Sequence, residues 1–191
     1  MRSVIAGALA LGLTAGSAFG QISMSGQDMV LGNPSAPVTV IEYASVGCPH
    51  CAAWAHEVFP AFKAKYIDTG KVRFVLREML TGNGALAAAG FLLARCAGPA
   101  NYFRVVDEVY AAQEKMEEQG ANGPLLAIAK GVGLTEVQFK ACESDASALA
   151  ALQARSDRAA LGTPTFVIGG RLIENEQSLA DLDAAIAAAR R

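Results

Sequence analysis

The sequence predicts an α/β fold in which a β-α-β unit and a terminal β-β-α unit are separated by a helical insertion. Three observations carry that order. Apolar, β-branched runs at 38–44 and 71–78 flank a helical pattern, which implies a parallel strand pair with a right-handed crossover. From about 83 to 161 the chain holds helical periodicity and no convincing strand. The strand pattern then returns at 163–168, and Gly169-Gly170 followed by Arg171-Leu-Ile173 is a strong hairpin signal.

Taken from the start, Met1-Arg2, the apolar run 4–13 and the small residues of 14–20 have the three regions of a secretory signal. Residues 1–20 are therefore expected to be a signal peptide, cleaved after Ala18 or Gly20. The apolar run is short for a membrane span and is weakened by glycines. Residues 21–28 are polar and are expected to be flexible; the domain proper is expected over 29–191. It opens with a short edge strand at Met29-Val30-Leu31, before the Gly32-Asn33-Pro34 turn. The strand at 38–44 is apolar in both phases, as in a central strand covered on both faces. Glu42 interrupts it. A carboxylate there is costly unless paired or solvated, which leaves two readings: a proton carrier for a buried thiol, or a strand-end glutamate reaching water.

The helix expected over 52–66 carries Trp54, Val58, Phe59 and Phe62 on its apolar side, and Pro60 predicts a kink. Its His56 reads as a surface or structural histidine. In the insertion, 84–96 is Ala- and Leu-rich and reads as a buried helix, while 102–116 is amphipathic with Phe103, Val106 and Val109 on one side. Residues 124–130 form another helical run. Thr135-Glu-Val-Gln138 is a capping box that opens a short helix through Cys142, and 144–160 reads as a longer Ala-rich helix. Behind the hairpin, Ser178-Leu-Ala-Asp181 caps a last helix with Leu179, Leu182 and Ile186 on its apolar side.

At 191 residues and 52% hydrophobic composition, the chain supports one well-buried domain. It carries 16 basic and 18 acidic residues, and removal of 1–20 takes one base, leaving 15 against 18. Lys and Arg are neither in excess nor clustered, which argues against a nucleic-acid partner. Export together with four cysteines points to an oxidising compartment, where disulfides persist.

The chemistry concentrates in Cys48-Pro49-His50-Cys51, at the junction between the first long strand and its helix. Two thiols at this spacing form a reversible disulfide. Unpaired N–H groups and the positive end of the helix dipole favour an anion at Cys48, lowering its pKa and making it the attacking sulfur. Cys51, one turn further in, is the buried resolving thiol. Pro49 suits a first helical turn, and His50, if protonated or donating a hydrogen bond, stabilises the Cys48 thiolate. A zinc site needs two further ligands, whereas Cys96 and Cys142 stand singly rather than as a second close pair. Those two lie near the ends of predicted helices. The simplest reading is a structural disulfide within the insertion; the rival is a second redox pair relaying electrons to Cys48.

The element order, the Cys-Pro-His-Cys motif and Thr163-Pro164 directly before a hairpin strand resemble the DsbA family of thioredoxin-fold thiol oxidases. The resemblance extends over essentially the whole chain after the signal. It implies a thioredoxin-like fold in which Cys48 is the nucleophile, Cys51 resolves and His50 activates. Thr163 and Pro164 contact substrate, with a cis peptide bond at Pro164. Glu42 matches an acidic position near the buried cysteine, while a second acidic position of some members is Ala55 here, which thins any proton network. The Cys96–Cys142 pair resembles an additional disulfide of some members.

The function implied is an exported oxidase that donates its Cys48–Cys51 disulfide to reduced exported proteins in the periplasm. It needs no cofactor or metal, and a quinone-linked, DsbB-like membrane partner reoxidises it. A monomer is the default expectation. Two alternatives stand beside it: an isomerase or reductase of the same fold, and a copper- or zinc-binding module using Cys48, Cys51 and His56. Thr163 suits isomerases as well as oxidases, but fewer than twenty residues separate the expected cleavage site from the first main strand, too few for a separate dimerisation domain.

Overall fold

Strand alternation sets the layers of this protein, for which a computed structural model describes residues 27–190. The expected signal peptide and residues 21–26 lie outside the described residues. Strands β1 (Met29–Leu31), β2 (Val38–Ala44), β3 (Val72–Glu78), β4 (Thr165–Ile168) and β5 (Arg171–Glu174) form one sheet in the order β1-β3-β2-β4-β5. β2 and β3 are parallel, with Val38 opposite Val72 and Ala44 opposite Glu78; the other pairs are antiparallel. One phase of the strands (Val40, Ala44, Phe74, Phe166) packs into the main core with Trp54, Phe62, Leu182 and Ile186. The other phase (Ile41, Tyr43, Val75, Val167) forms a smaller cluster with Met79. Glu42 shares the phase of Val40 and Ala44, so it points into the main core.

Helix α1 (Pro49–Glu57) follows β2, and α2 (Phe59–Phe62) continues into a π-helical turn at Lys63–Ile67. The helix expected over 52–66 is thus broken, as Pro60 predicts. Val58 N–H still donates to Trp54 O and Phe62 N–H to Val58 O, but proline has no N–H for the bond between them. The insertion comprises α3 (Gly84–Cys96), α4 (Tyr102–Ala111), α5 (Gln113–Gln119), α6 (Asn122–Gly131), α7 (Glu136–Glu143) and α8 (Ala146–Ala159), and α9 (Leu179–Ala189) closes the chain. The run expected as one helix over 102–116 divides at Ala112, into α4 and α5. Helix α8 starts after Asp145 rather than at Ser144, because Asp145 accepts from Ser147 and Ala148 N–H while Ser144 Oγ turns back to Lys140 O. Both expected capping boxes form, at Thr135 and Ser178. Strand β4 begins at Thr165, after the cis Thr163–Pro164 peptide, and both glycines of the following turn have positive φ.

A buried carboxylate ties the insertion to the sheet. Glu78, 3% exposed at the end of β3, accepts from Arg95 of α3, Tyr102 of α4 and Arg155 of α8. A disulfide joins Cys96, the last residue of α3, to Cys142 in α7. The stretch expected to be flexible over 21–28 is fixed at its end: Asp28 pairs with Arg77, and Gln27 O accepts from Arg95. Charge pairing and a backbone hydrogen bond override its polar composition there.

Candidate active site

The extended backbone of β2 stops at Ala44, and the loop behind it delivers Cys48 to the N-terminus of α1. Cys48 occupies the N-cap position (φ −105°, ψ 120°), with Pro49 at the first helical position. Its C=O accepts the first helical bond from Ala52 N–H, and its N–H donates to Ser45 O. Both motif cysteines are thiols. Cys51 is fully buried under the sheet-facing side of α1. Cys48 is 6% exposed, because the Thr163 backbone lies over it with its carbonyl oxygen 3.4 Å from Sγ.

Electrostatics separates the two thiols. The Cys48 thiol is lowered to about 5, chiefly because Cys51 S–H donates to its sulfur, with the Thr163 hydroxyl and the N–H groups of Cys51 and His50 adding to that. The same bond holds the proton on Cys51, and burial and the nearby Glu42 push its pKa further up. Glu42, 3% exposed, is pushed up to about 8 by burial and secondarily by the Cys48 charge. The reading of Glu42 as a strand-end residue reaching water is therefore overturned, because its strand phase carries it under α1. At neutral pH the site holds a thiolate at Cys48, a thiol at Cys51 and a protonated carboxyl at Glu42.

His50 departs from expectation. Pro49 and His50 are both exposed, and the His50 ring pairs through Nδ1 with Glu176 beyond β5, making no hydrogen bond to Cys48. What His50 lends the thiolate is its backbone N–H, a property of the helix start rather than of the side chain. Thr163 is half-buried and Pro164 buried, beside Cys48. Trp54 Nε1 donates to Gln177 O, fixing α1 against the segment that carries Glu176.

Several site residues escape sequence reasoning. Gln113 of α5, 8% exposed, donates through Nε2 to Val46 O at 2.7 Å and to Cys48 O at 3.3 Å, so the insertion holds the motif loop directly. Ser45 Oγ accepts from Gly47 N–H and donates to Thr81 O, and Asn83 N–H donates to Gly47 O. Thr81 and Thr163 share a hydroxyl–hydroxyl hydrogen bond. Nothing local in sequence marks these partners; each lies more than thirty residues from the group it meets, apart from Ser45 and Gly47. Among the described residues no three His, Cys, Asp or Glu side chains gather as a metal-ligating group, and His56 is exposed.

Comparison with known proteins fits this geometry. The family model described as Thioredoxin matches residues 24–188. A Rickettsia bellii protein named for protein-disulfide oxidoreductase activity is 37% identical over 166 residues, 83% of this chain and 63% of its own length. The chain thus spans under two thirds of that relative. A Bacillus cereus protein named for disulfide bond formation protein D is 30% identical over 151 residues, 74% of this chain and 70% of its own length. The crystal structure of Wolbachia pipientis alpha-DsbA1 superimposes with a TM-score of 0.79 at 24% identity, covering 88% of this chain and 95% of that one.

Proposed function

The chain belongs to the thioredoxin family, of DsbA-like type, and on that premise we propose that it is a protein thiol:disulfide oxidoreductase that donates its Cys48–Cys51 disulfide to reduced exported proteins. One observation carries the reading: the thiol pKa values of the pair are driven apart, with Cys48 down to about 5 and Cys51 up, at the mouth of a helix beside Thr163-Pro164. A low-pKa thiolate is a good leaving group and stabilises the reduced enzyme, which makes the disulfide oxidising.

In the proposed cycle a substrate thiolate attacks Cys48 Sγ. The Cys48–Cys51 bond breaks, a Cys48–substrate bond forms, and Cys51 departs as a thiolate. Glu42, protonated at neutral pH, supplies the proton that neutralises Cys51 and regains one from solvent. A second substrate thiolate then attacks the substrate sulfur of the mixed disulfide and expels Cys48 as a thiolate. Pro49 shapes the helix start, His50 adds a backbone N–H, and Thr163-Pro164 presents backbone to the substrate segment. The Cys96–Cys142 disulfide is assigned a structural role. The signal pattern of residues 1–20 supports export to the periplasm, and the family resemblance supports a quinone-linked, DsbB-like membrane partner for reoxidation.

The test is the equilibrium redox potential of Cys48–Cys51 in glutathione buffer, with Cys96 and Cys142 both replaced by Ser. A value near about −120 mV is expected. A value near about −270 mV would mark a reductant and overturn the donor role.

A further inference from the structure

A hydroxyl carries one proton. Thr163 Oγ1 shares a hydrogen bond with the Thr81 hydroxyl, and Thr163 lies against Cys48, its carbonyl oxygen 3.4 Å from Sγ and its hydroxyl stabilising the thiolate; that hydroxyl can donate to only one of the two at a time. The Cys48 thiolate has no proton to give, so it accepts only. When it is present, the Thr163 proton belongs on sulfur, and the Thr163–Thr81 bond can persist only if Thr81 is its donor.

Thr81 is held for that task. Its carbonyl accepts from Ser45 Oγ at 2.8 Å, and the flanking Met79 and Asn83 N–H groups donate to Ala44 O and Gly47 O at 2.8 Å each. The 79–83 segment is thereby fastened to the same loop that carries Cys48. Thr81 Oγ1 has no hydrogen-bond partner besides Thr163 among the described residues.

We propose that Thr81 is a positioning residue for disulfide exchange: its hydroxyl donates to Thr163 Oγ1 and so holds the single Thr163 hydroxyl proton on the Cys48 sulfur. In the Cys48–Cys51 disulfide that sulfur has lost its charge, and Thr163 is free to donate back to Thr81. The pair is a two-position proton switch that favours the thiolate. Each hydroxyl in such a chain polarises the next, which strengthens the terminal bond to sulfur. The inference rests on Cys48 being the reactive thiolate.

The experiment is a double-mutant cycle on the reduced protein, with Cys96 and Cys142 replaced by Ser and Cys48 titrated by thiolate absorbance. Thr81→Val is expected to weaken Cys48 as an acid by about three- to tenfold. Thr81→Ser, which keeps the hydroxyl, is expected to restore most of that. In a Thr163→Val background, Thr81→Val should have no further effect, because the hydroxyl it acts through is gone. Two outcomes overturn the proposal: an unchanged titration in Thr81→Val, or an equal change with and without the Thr163 hydroxyl, which would mean that Thr81 merely shapes the loop. If Thr81→Val does not fold, Thr81→Ser and Thr81→Ala carry the same comparison. Should Cys48 of the otherwise unchanged protein titrate in the ordinary thiol range, the premise about Cys48 fails rather than the role of Thr81.

Discussion

Glu42 costs the protein stability, and the sign of that cost follows from its titration. Its folded-state pKa stands near 8 against an ordinary 4.5, because a charge under α1 is poorly solvated. The native state therefore keeps a proton that the unfolded chain releases, and stability falls as pH rises from about 4.5 to 8. Glu42→Gln removes that penalty. Urea unfolding of the reduced protein should show a gain of about 2–3 kcal/mol at pH 7 that disappears below about pH 4. A pH-independent difference would mean that the carboxyl is solvated. In the proposed cycle that cost is offset by the proton Glu42 offers Cys51.

At the scale of elements, the site depends on two loops meeting backbone to backbone. A Cβ on Gly47 would stand 2.2 Å from Asn83 O, and one on Gly82 would stand 2.2 Å from Gly47 O. Gly82 also has φ +65°, where other residues are strained. Gly82→Ala is expected to destabilise the protein by about 2 kcal/mol or more and to lower its melting temperature by several degrees. Because Thr81 precedes Gly82, the same change should also weaken Cys48 as an acid; a normal melt with a normal Cys48 titration would show the two loops to be separable. The Cys96–Cys142 disulfide works at this scale too. It closes a separation of 46 residues between α3 and α7, which the chain-entropy picture values at about 4 kcal/mol at most.

For the molecule as a whole, the Cys48 thiolate couples redox state to stability. Its folded pKa near 5, against an ordinary 9, stabilises the reduced form fully above about pH 9, and the contribution is lost as pH falls through 5. At pH 7 it amounts to about 2–3 kcal/mol. With Cys96 and Cys142 replaced by Ser, the reduced protein should melt above the oxidised one at neutral pH, and its advantage should shrink toward pH 4. Equal melting temperatures at pH 7 would count against an oxidising disulfide. Residues far from the motif share in this balance: Gln113 reaches it from α5 and Thr163 from the loop before β4.

Local chemistry explains what could be read from the chain alone. The strand and helix order, both capping boxes, the Pro60 break, the glycine hairpin and the placement of Cys48 at a helix start follow from residues within one or two turns of each other. Pairing Cys96 with Cys142 needed only that two cysteines share one insertion. The rest is set by tertiary packing, because it depends on groups brought together from distant positions. The phase of β2 under α1 decides that Glu42 is buried, and the approach of β5 decides that His50 turns to Glu176 rather than to Cys48. Glu78 meets three insertion helices, and Thr81 meets Thr163, 82 residues away. A sequence states which groups can ionise or donate; how much solvent and which partner each one receives is a property of the folded surroundings.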